Sequence, residues 1–245
     1  MFTTKTVKLT AACLDRVTNP RDTQFDPYSI NKNRGSNTWA IGPSKSASGN
    51  TMLIINPHLS WGDMFTWFEV QLNCYPLDIY GATLVGSPFI GIGFNEYIGW
   101  AHTNNVHDGQ DLYKLTLTDG GYKWEDDVKS FDERIIQLNI KQNNDDINTE
   151  KYLIKESVHG PIIREDEDHA YALRVVGQDQ PFVFEQYFDM ALSKNFQDFE
   201  KAISRLQNPF FTTMYADRDG RILHLFGGRT PVRPEGDWDW LGIVP

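Results

Sequence analysis

The segment from Arg34 to Trp61, RGSNTWAIGPSKSASGNTMLIINPHLSW, constrains the fold most strongly because it places a polar turn between two apolar runs. Trp39 to Ile41 is typical of a short buried strand, and Thr51 to Asn56 is typical of a second one. The glycine-containing stretch from Gly42 to Asn50 reads as the turn between them. The sequence therefore predicts a β-hairpin near the start of the chain.

A serine, Ser36, stands at the entrance to the first of these strands, directly after Gly35. If the peptide bond between the two residues is cut, the freed α-amino group of Ser36 lies within reach of the Ser36 hydroxyl. The amine can then act as a general base for that hydroxyl. Gly-Ser pairs before strands are usually plain turns, so these two residues alone leave a structural and a catalytic interpretation open.

Composition excludes some classes of function. The 245 residues can form one large domain or two small ones, and 19 Gly, 12 Pro and 13% aromatic residues favour many short strands and turns. A formal net charge of -10 argues against a nucleic-acid partner, which requires a basic surface. No apolar run approaches membrane-spanning length. The first twenty residues lack the continuous apolar core of a secretory signal. Cys13 and Cys74 could form a disulfide or could simply pack as free thiols.

The rest of the chain alternates strand-like runs with turns, and it contains one clear helical pattern. The helix is predicted from Asn195 to Leu206, where apolar residues recur on one face and Asn195 is a suitable N-cap. One strand is predicted within Met64 to Cys74, and three or four are predicted within Leu77 to Thr103. Further strands are predicted at 134–140, 152–154, 171–175, 214–217 and 222–226.

Four motifs stand out in these segments: G-S-N-x-W-A-I from Gly35, N-P-H-L from Asn56, Y-A-D-x-x-G-x-I from Tyr215 and G-x-x-P-x-R from Gly228. Together they resemble the penicillin acylase family, which includes penicillin amidases and acyl-homoserine lactone acylases. The family consists of N-terminal-nucleophile hydrolases. The resemblance therefore implies an α+β fold, a four-layer αββα sandwich. Residues 1–35 would form a linker or propeptide-like segment, and residues 36–245 an acylase-like domain truncated at its C-terminus.

The resemblance also assigns catalytic roles. It implies that Ser36 is the nucleophile and that the chain cleaves itself between Gly35 and Ser36, as a zymogen does. The position of His58 implies that its backbone orients the amine, although the residue type alone also suits a general base. The backbone N–H of Asn104 would stabilise the oxyanion.

Substrate and metal contacts follow from the same resemblance. Leu59 and Ile92 fall at positions that imply contact with the acyl group. Calcium-binding members of the family have ligands at positions matching Asp108, the carbonyl of Gln110, and Asp111. On spacing alone a D-G-x-D turn usually caps or solvates a loop, so calcium is an optional ligand here and no cofactor is required.

The predicted function is hydrolysis of the amide bond of a small N-acylated molecule. An acyl-homoserine lactone of quorum sensing, a penicillin antibiotic and another acyl amide all remain open as substrates. The resemblance implies a periplasmic or extracellular protein. The family carries a long chain upstream of its nucleophile, and its second oxyanion donor falls beyond Pro245, so the sequence predicts a fragment with little activity alone.

A second hypothesis is a non-catalytic β-rich module that binds a hydrophobic or calcium-bridged ligand. The aromatic content and the acidic balance of the chain both favour it. The mass of the purified protein separates the two hypotheses, since only the self-processing hydrolase is split between Gly35 and Ser36.

Overall fold

The computed structural model describes residues 35–59, 65–105, 107–143 and 145–232. These residues fall into two compact units. The first, called here the serine unit, comprises residues 35–109 and 176–232, and the second, the ribbon unit, comprises Gln110–Val175. The predicted segment 1–35, apart from Gly35, and the end of the chain after residue 232 lie outside the described residues. The single acylase-like domain from 36 to 245 stays a prediction.

The described elements comprise fifteen strands and two α-helices, together with a 3-10 turn at Pro43–Lys45. In chain order they are β1 (Gly35–Ile41), β2 (Met52–His58), β3 (Trp67–Cys74), β4 (Leu77–Leu84), β5 (Ile92–Phe94), β6 (Ile98–Asn104), β7 (Gln110–Thr118), β8 (Gly121–Trp124), β9 (Asp127–Lys129), β10 (Asp132–Lys141), β11 (Ile147–Ser157), β12 (Gly160–Glu165), β13 (His169–Val175), α1 (Val183–Leu192), α2 (Phe196–Ile203), β14 (Phe211–Asp217) and β15 (Ile222–Phe226).

The predicted hairpin is confirmed as the two-stranded sheet β1–β2. Its antiparallel register runs from Gly35 opposite His58 to Ile41 opposite Met52. Each strand is longer than predicted, since β1 begins at Gly35 and β2 continues through His58. The hairpin therefore carries Ser36 within its first strand.

A six-stranded antiparallel sheet forms the centre of the serine unit, in the order β15-β14-β6-β5-β4-β3. It confirms the strands predicted in the Leu77 to Thr103 segment and the hairpin around the Asp217 turn. The strand predicted between Met64 and Cys74 is also present, but not all of its apolar residues pack against the core. Val70 packs on the core, whereas Phe68 and Leu72 are exposed.

The two helices cover one face of this sheet. Trp100 and Tyr215 project from neighbouring strands into a core that also contains Tyr187 and Met190 of α1 and Phe199 of α2. A nonpolar interior of this size is stabilised by removing aromatic and aliphatic surface from water.

Asn195 caps α2 as predicted, since its Oδ1 accepts the backbone N–H of Asp198 at 2.9 Å. The helix ends at Ile203, three residues before the predicted end. Leu206 has a φ of 53°, a left-handed conformation that cannot continue an α-helix.

Helix α1 is an element that the sequence reasoning missed. Its buried residues are Gln186, Tyr187, Met190 and Ala191, at helical spacing. Its remaining aromatic residues, Phe184 and Phe188, are about half exposed. Aromatic residues on both faces obscured the one-sided pattern by which amphipathic helices are recognised.

The hairpin lies on the opposite face of the sheet and contacts β6 and β14. A Cβ added to Gly99 would stand 3.1 Å from Leu53 Cδ2, so β2 passes directly over that glycine. Because neighbouring residues of a strand face opposite sides, Gly99 faces the hairpin while Trp100 faces the helices. The serine unit is thus layered as hairpin, sheet and helices.

The ribbon unit is a seven-stranded antiparallel sheet in the order β10-β11-β12-β13-β7-β8-β9. Its small core contains Leu115, Tyr122, Ala170 and Ala172. The three strand runs predicted at 134–140, 152–154 and 171–175 lie within β10, β11 and β13. Within the described part of the chain, no helix is long and apolar enough to cross a membrane.

Candidate active site

Ser36 is the second residue of β1, and its hydroxyl contacts the carbonyl that precedes it. Ser36 Oγ donates a hydrogen bond to the Gly35 carbonyl oxygen at 2.8 Å. Both residues are half-buried. Ser36 stands opposite Pro57, which has no N–H, so this pair cannot be doubly hydrogen-bonded. The hydroxyl is therefore held beside the peptide group that self-cleavage would attack.

His58 lies directly across the hairpin from Gly35, at the last position of β2. The register thus brings the backbone of His58 next to the Gly35–Ser36 bond. The side chain of His58 is exposed, and Leu59 after it is half-buried. Gly35 and His58 are far apart in the sequence, so only the pairing of β1 with β2 shows that they lie side by side.

Asn104 is the last residue of β6, and the ladder pattern fixes the direction of its N–H. Asn105 donates its backbone N–H to Phe210 O at 3.0 Å, and Asn104 stands opposite Phe211. Hydrogen-bonded and non-hydrogen-bonded pairs alternate in antiparallel ladders. The Asn104 N–H is therefore directed away from β14, toward the side where pairing of β6 with β5 reaches only to Trp100.

The packing of the hairpin relates Ser36 to Asn104. The turn end of the hairpin is close to the β14–β15 turn, since a Cβ on Gly220 would stand 2.9 Å from Pro43 Cγ. Ser36 is at the opposite end of the hairpin, and Asn104 is at the opposite end of β6 from Gly99. Packed sheets keep their strand directions within about 30° of each other. We therefore expect Ser36 and Asn104 at the same end of the two layers.

Ile92 is buried on β5, with 8% of its surface exposed. Ile92 and Phe94 share a face of the strand, and Phe94 lines a cavity of 280 Å³ together with Leu53 and Ile55 of the hairpin. Ile92 therefore faces the hairpin side. The cavity itself lies toward the turn end of the hairpin, so it is separate from Ser36.

Trp67 has a buried polar group without a partner among the described residues, and the sequence did not single it out. Its ring lies near Gly91, where an added Cβ would be 3.8 Å from Trp67 Cζ3. The Nε1–H of Trp67 is shielded from solvent and has no hydrogen-bond partner among the described residues. A buried unsatisfied donor is uncommon in folded proteins. The only sequence signal was an aromatic residue within a predicted strand.

The three residues suggested as calcium ligands fall in two units. Asp108 belongs to the serine unit, whereas Gln110 and Asp111 open β7 in the ribbon unit. In the part of the chain that the structure describes, no group of three or more His, Cys, Asp or Glu residues could hold a metal ion. Two carboxylates and a backbone carbonyl are a different kind of ligand set, so the calcium site stays a prediction.

Two histidines of the serine unit are held inside the fold by hydrogen bonds. His102 Nδ1 is 3.2 Å from Thr213 Oγ1, and burial lowers the pKa of His102 to about 4. His107 Nε2 is 2.6 Å from Arg229 O and 3.1 Å from Thr230 Oγ1. His102 joins two strands of the sheet, and His107 anchors the segment after β15.

Comparison with known proteins identifies the family of this chain. The family model for penicillin amidase matches residues 3–245. The chain belongs to the penicillin amidase family. It is 28% identical over 203 residues to acyl-homoserine lactone acylase PvdQ of Pseudomonas syringae pv. syringae, covering 78% of this chain and 26% of the relative. It is 26% identical over 232 residues to penicillin G acylase of Escherichia coli, covering 86% and 26%.

A solved structure shows the same fold. The thermostable penicillin G acylase of Alcaligenes faecalis matches with a TM-score of 0.65 and 21% identity, covering 76% of this chain and 34% of that one. This member of the family is therefore strand-rich, with a fold like that of penicillin acylase. The chain spans about a quarter of the length of the curated relatives described above.

Proposed function

We propose that this chain carries the nucleophile of an acylase that hydrolyses the amide bond of an N-acylated small molecule. Ser36 would serve as an N-terminal nucleophile after cleavage of the Gly35–Ser36 bond. The observation that carries the proposal is the 2.8 Å hydrogen bond from Ser36 Oγ to the Gly35 carbonyl oxygen. Both residues lie in β1, and the chain belongs to the penicillin amidase family.

Self-cleavage would begin with attack of Ser36 Oγ on the carbonyl carbon of Gly35. The C–N bond then breaks, the nitrogen takes a proton, and an ester joins Gly35 to the Ser36 side chain. Water hydrolyses this ester, which leaves a carboxylate on Gly35 and a free α-amine and hydroxyl on Ser36. The contact between hydroxyl and carbonyl supports this step, since an attacking atom must already lie close to its target.

Acyl transfer would use the same hydroxyl with the new amine as its base. An α-amino group has an ordinary pKa of about 7.7–8.0, so a useful fraction is unprotonated at neutral pH. The Ser36 hydroxyl attacks the substrate carbonyl and the amine accepts its proton. The leaving amine then takes that proton, and water releases the carboxylic acid. The direction of the Asn104 N–H supports its role as one oxyanion donor, and the pairing of His58 with Gly35 supports the amine-orienting role of the His58 backbone.

Leu59 and Ile92 are proposed to contact the acyl group. PvdQ is named as an acyl-homoserine lactone acylase and the Escherichia coli relative as a penicillin G acylase, so both substrate classes are candidates here. The proposal includes the four-layer αββα sandwich, an optional calcium ion at Asp108, Gln110 and Asp111, and a periplasmic or extracellular location. A calcium titration that leaves the melting temperature unchanged would argue against the ion.

Mass spectrometry of the purified chain tests the self-cleavage. We expect two masses that sum to the chain plus one water, divided between Gly35 and Ser36. The Ser36→Ala variant should stay intact. The matched control is Ser48→Ala, in the exposed turn of the same hairpin, which should be cleaved like the wild type.

A protein that begins at Ser36 tests the nucleophile separately. It can be made by removing a leader with a specific protease, and it should react with a sulfonyl fluoride at Ser36. A leader that stays attached should suppress the reaction, because the Ser36 nitrogen then remains an amide. Labelling that persists in the blocked chain at the same rate would contradict the role of the amine.

Activity is measured with chromogenic phenylacetyl and long-chain acyl amides. We expect the chain alone to turn over well below about 1 per second, near the low end for enzymes, because only one oxyanion donor is assigned among its described residues. Turnover at or above that rate, lost in Ser36→Ala, would confirm the nucleophile and contradict the expectation of low activity.

A further inference from the structure

Among the described residues, the ribbon unit ends in an outer strand with one unpaired edge. β10 is the first strand in the order of the seven-stranded sheet, and among the described residues only β11 pairs with it. The two strands pair without a break from Asp132 opposite Glu156 to Lys141 opposite Ile147. The other edge of β10 therefore offers ten residues of regular strand for a further partner.

The central residues of β10 lack the features that usually block an open edge. Residues 135–140, IIQLNI, contain no charge and no proline, and the strand has no bulge in its register with β11. Ile135 is 66% exposed and Leu138 is 46% exposed. Edge strands that avoid association typically use charged residues, proline or bulges. The centre of β10 is thus suited to pairing with another strand.

The charges of β10 are confined to its ends, with Asp132, Glu133 and Arg134 at the start, where the balance is negative, and Lys141 at the end. Glu133 lies near the start and Lys141 at the end, and both residues are exposed. An antiparallel copy of the same strand would bring the start of one against the end of the other. This charge arrangement indicates a second copy of the chain as the partner.

We propose that two copies of this chain pair their β10 strands antiparallel about a twofold axis. Such an axis runs perpendicular to the joined sheet, so residues that face each other lie on the same face and their numbers share parity. With Gln137 opposite Gln137 of the second copy, Glu133 meets Lys141 twice. Ile136 meets Leu138 twice in the same register.

The two neighbouring twofold registers, centred on Ile136 and on Leu138, are less favourable because neither sets Glu133 against Lys141. With Ile136 on the axis, Arg134 would meet Leu138 and Asp132 would meet Ile140. This register and the one centred on Gln137 both set Arg134 against an apolar side chain, which is Ile140 when Gln137 is on the axis. The difference is that the register centred on Gln137 alone sets Glu133 against Lys141. The register centred on Gln137 is therefore the one that the sequence favours.

The internal ion pairs of the ribbon are compatible with this arrangement. Lys141 pairs with Asp145, and both side chains remain largely exposed. The Lys141 ammonium has three donors, so it can contact Asp145 and the second copy together. Arg134 lies 3.6 Å from Glu156 on β11, a pair that the dimer leaves intact.

Analytical ultracentrifugation of the full chain, from roughly 1 µM to 1 mM, tests the proposal. We expect a reversible monomer–dimer equilibrium. Lys141→Glu places like charges opposite each other twice and should weaken the dimer roughly two- to thirtyfold, from the ordinary effect of two cross-strand pairs. Glu133→Lys should do the same. The double variant Glu133→Lys/Lys141→Glu restores both pairs at unchanged net charge and should regain most of the affinity.

Lys151→Glu is the matched control, since it makes the same charge change on the inner strand β11 and should leave the dimer nearly unchanged. Melting curves at a concentration where all variants are monomeric separate effects on folding from effects on association. Amide exchange of residues 132–141 should slow as concentration rises. A monomer throughout the range, unlimited assembly beyond dimers, or a double variant no tighter than the singles would overturn the proposal.

Discussion

Replacing Asp217 with alanine should destabilise the serine unit more than any other single change to a polar residue of the β14–β15 turn. Asp217 is 6% exposed. Its Oδ2 accepts the hydroxyl of Tyr215 at 2.8 Å, and its Oδ1 accepts the backbone N–H groups of Asp219 and Arg221 at 3.0 and 2.9 Å. One carboxylate therefore organises the whole turn.

The expected cost follows from what the substitution leaves unpaired. The Tyr215 hydroxyl belongs to a residue with 0% exposure, so water cannot replace the carboxylate, and the loss is about 1.5–3 kcal/mol. The two N–H groups lie in an exposed turn and can be rehydrated, so each costs about 0.5–1 kcal/mol. The free energy of unfolding should fall by about 2.5–5 kcal/mol for Asp217→Ala.

Urea denaturation followed by far-UV circular dichroism measures this loss. Asp219→Ala is the control, since Asp219 is exposed in the same turn, and it should change the free energy of unfolding by less than about 0.5 kcal/mol. Tyr215→Phe completes a double-mutant cycle, in which the coupling should be about 1–2 kcal/mol. Equal stabilities of Asp217→Ala and Asp219→Ala, or a coupling near zero, would refute the reasoning.

Three further predictions concern the same unit. Gly81→Ala should lower the free energy of unfolding by about 3 kcal/mol, because the new Cβ would lie 2.5 Å or less from atoms of β5 and of the segment before it. Gly91→Ala should lower it far less in the same denaturation assay, because its Cβ would have only ordinary contacts at 3.5 Å or more. Burial holds the pKa of His102 at about 4, below its ordinary 6.5, so the unfolded chain takes up the proton first and stability falls as pH drops from about 6.5 toward 4. The loss should reach at most about 3 kcal/mol, and a His102→Gln variant should lose less over that range; an unchanged pH slope would count against the buried neutral imidazole. Asn195→Ala should lower the free energy of unfolding by about 1 kcal/mol, whereas the exposed Gln197→Ala should not, and thermal melts of the two variants compare them directly.

The sequence alone predicted most strands of the fold because their signals are local. Alternating or continuous β-branched and aromatic runs, separated by glycine-rich turns, do not depend on distant residues. The hairpin around Ser36 and the cap of α2 at Asn195 belong to this class. Helix α1 was missed because exposed Phe184 and Phe188 disguised its buried face, which only packing against the sheet defines.

For the candidate site too, the sequence indicated the residues and the fold decided how they lie relative to one another. Sequence motifs nominated Ser36, His58 and Asn104, but they carry no information on distance. Strand register placed His58 across from Gly35, and the alternation of ladder hydrogen bonds aimed the Asn104 N–H away from β14. Both facts depend on residues far apart in the chain.

What the sequence determined by itself was the family and the strand-rich class, and it singled out Ser36 as the proposed nucleophile, because motifs and periodicity are formed by neighbouring residues. What only the tertiary structure decided was which strands are central and which are outer. Whether β10 is a covered strand or an open edge depends on pairing partners that its own residues do not specify. For the same reason, the uncharged centre of β10 could not be recognised as a candidate interface from the sequence. It became one only when the fold showed that β10 is an outer strand.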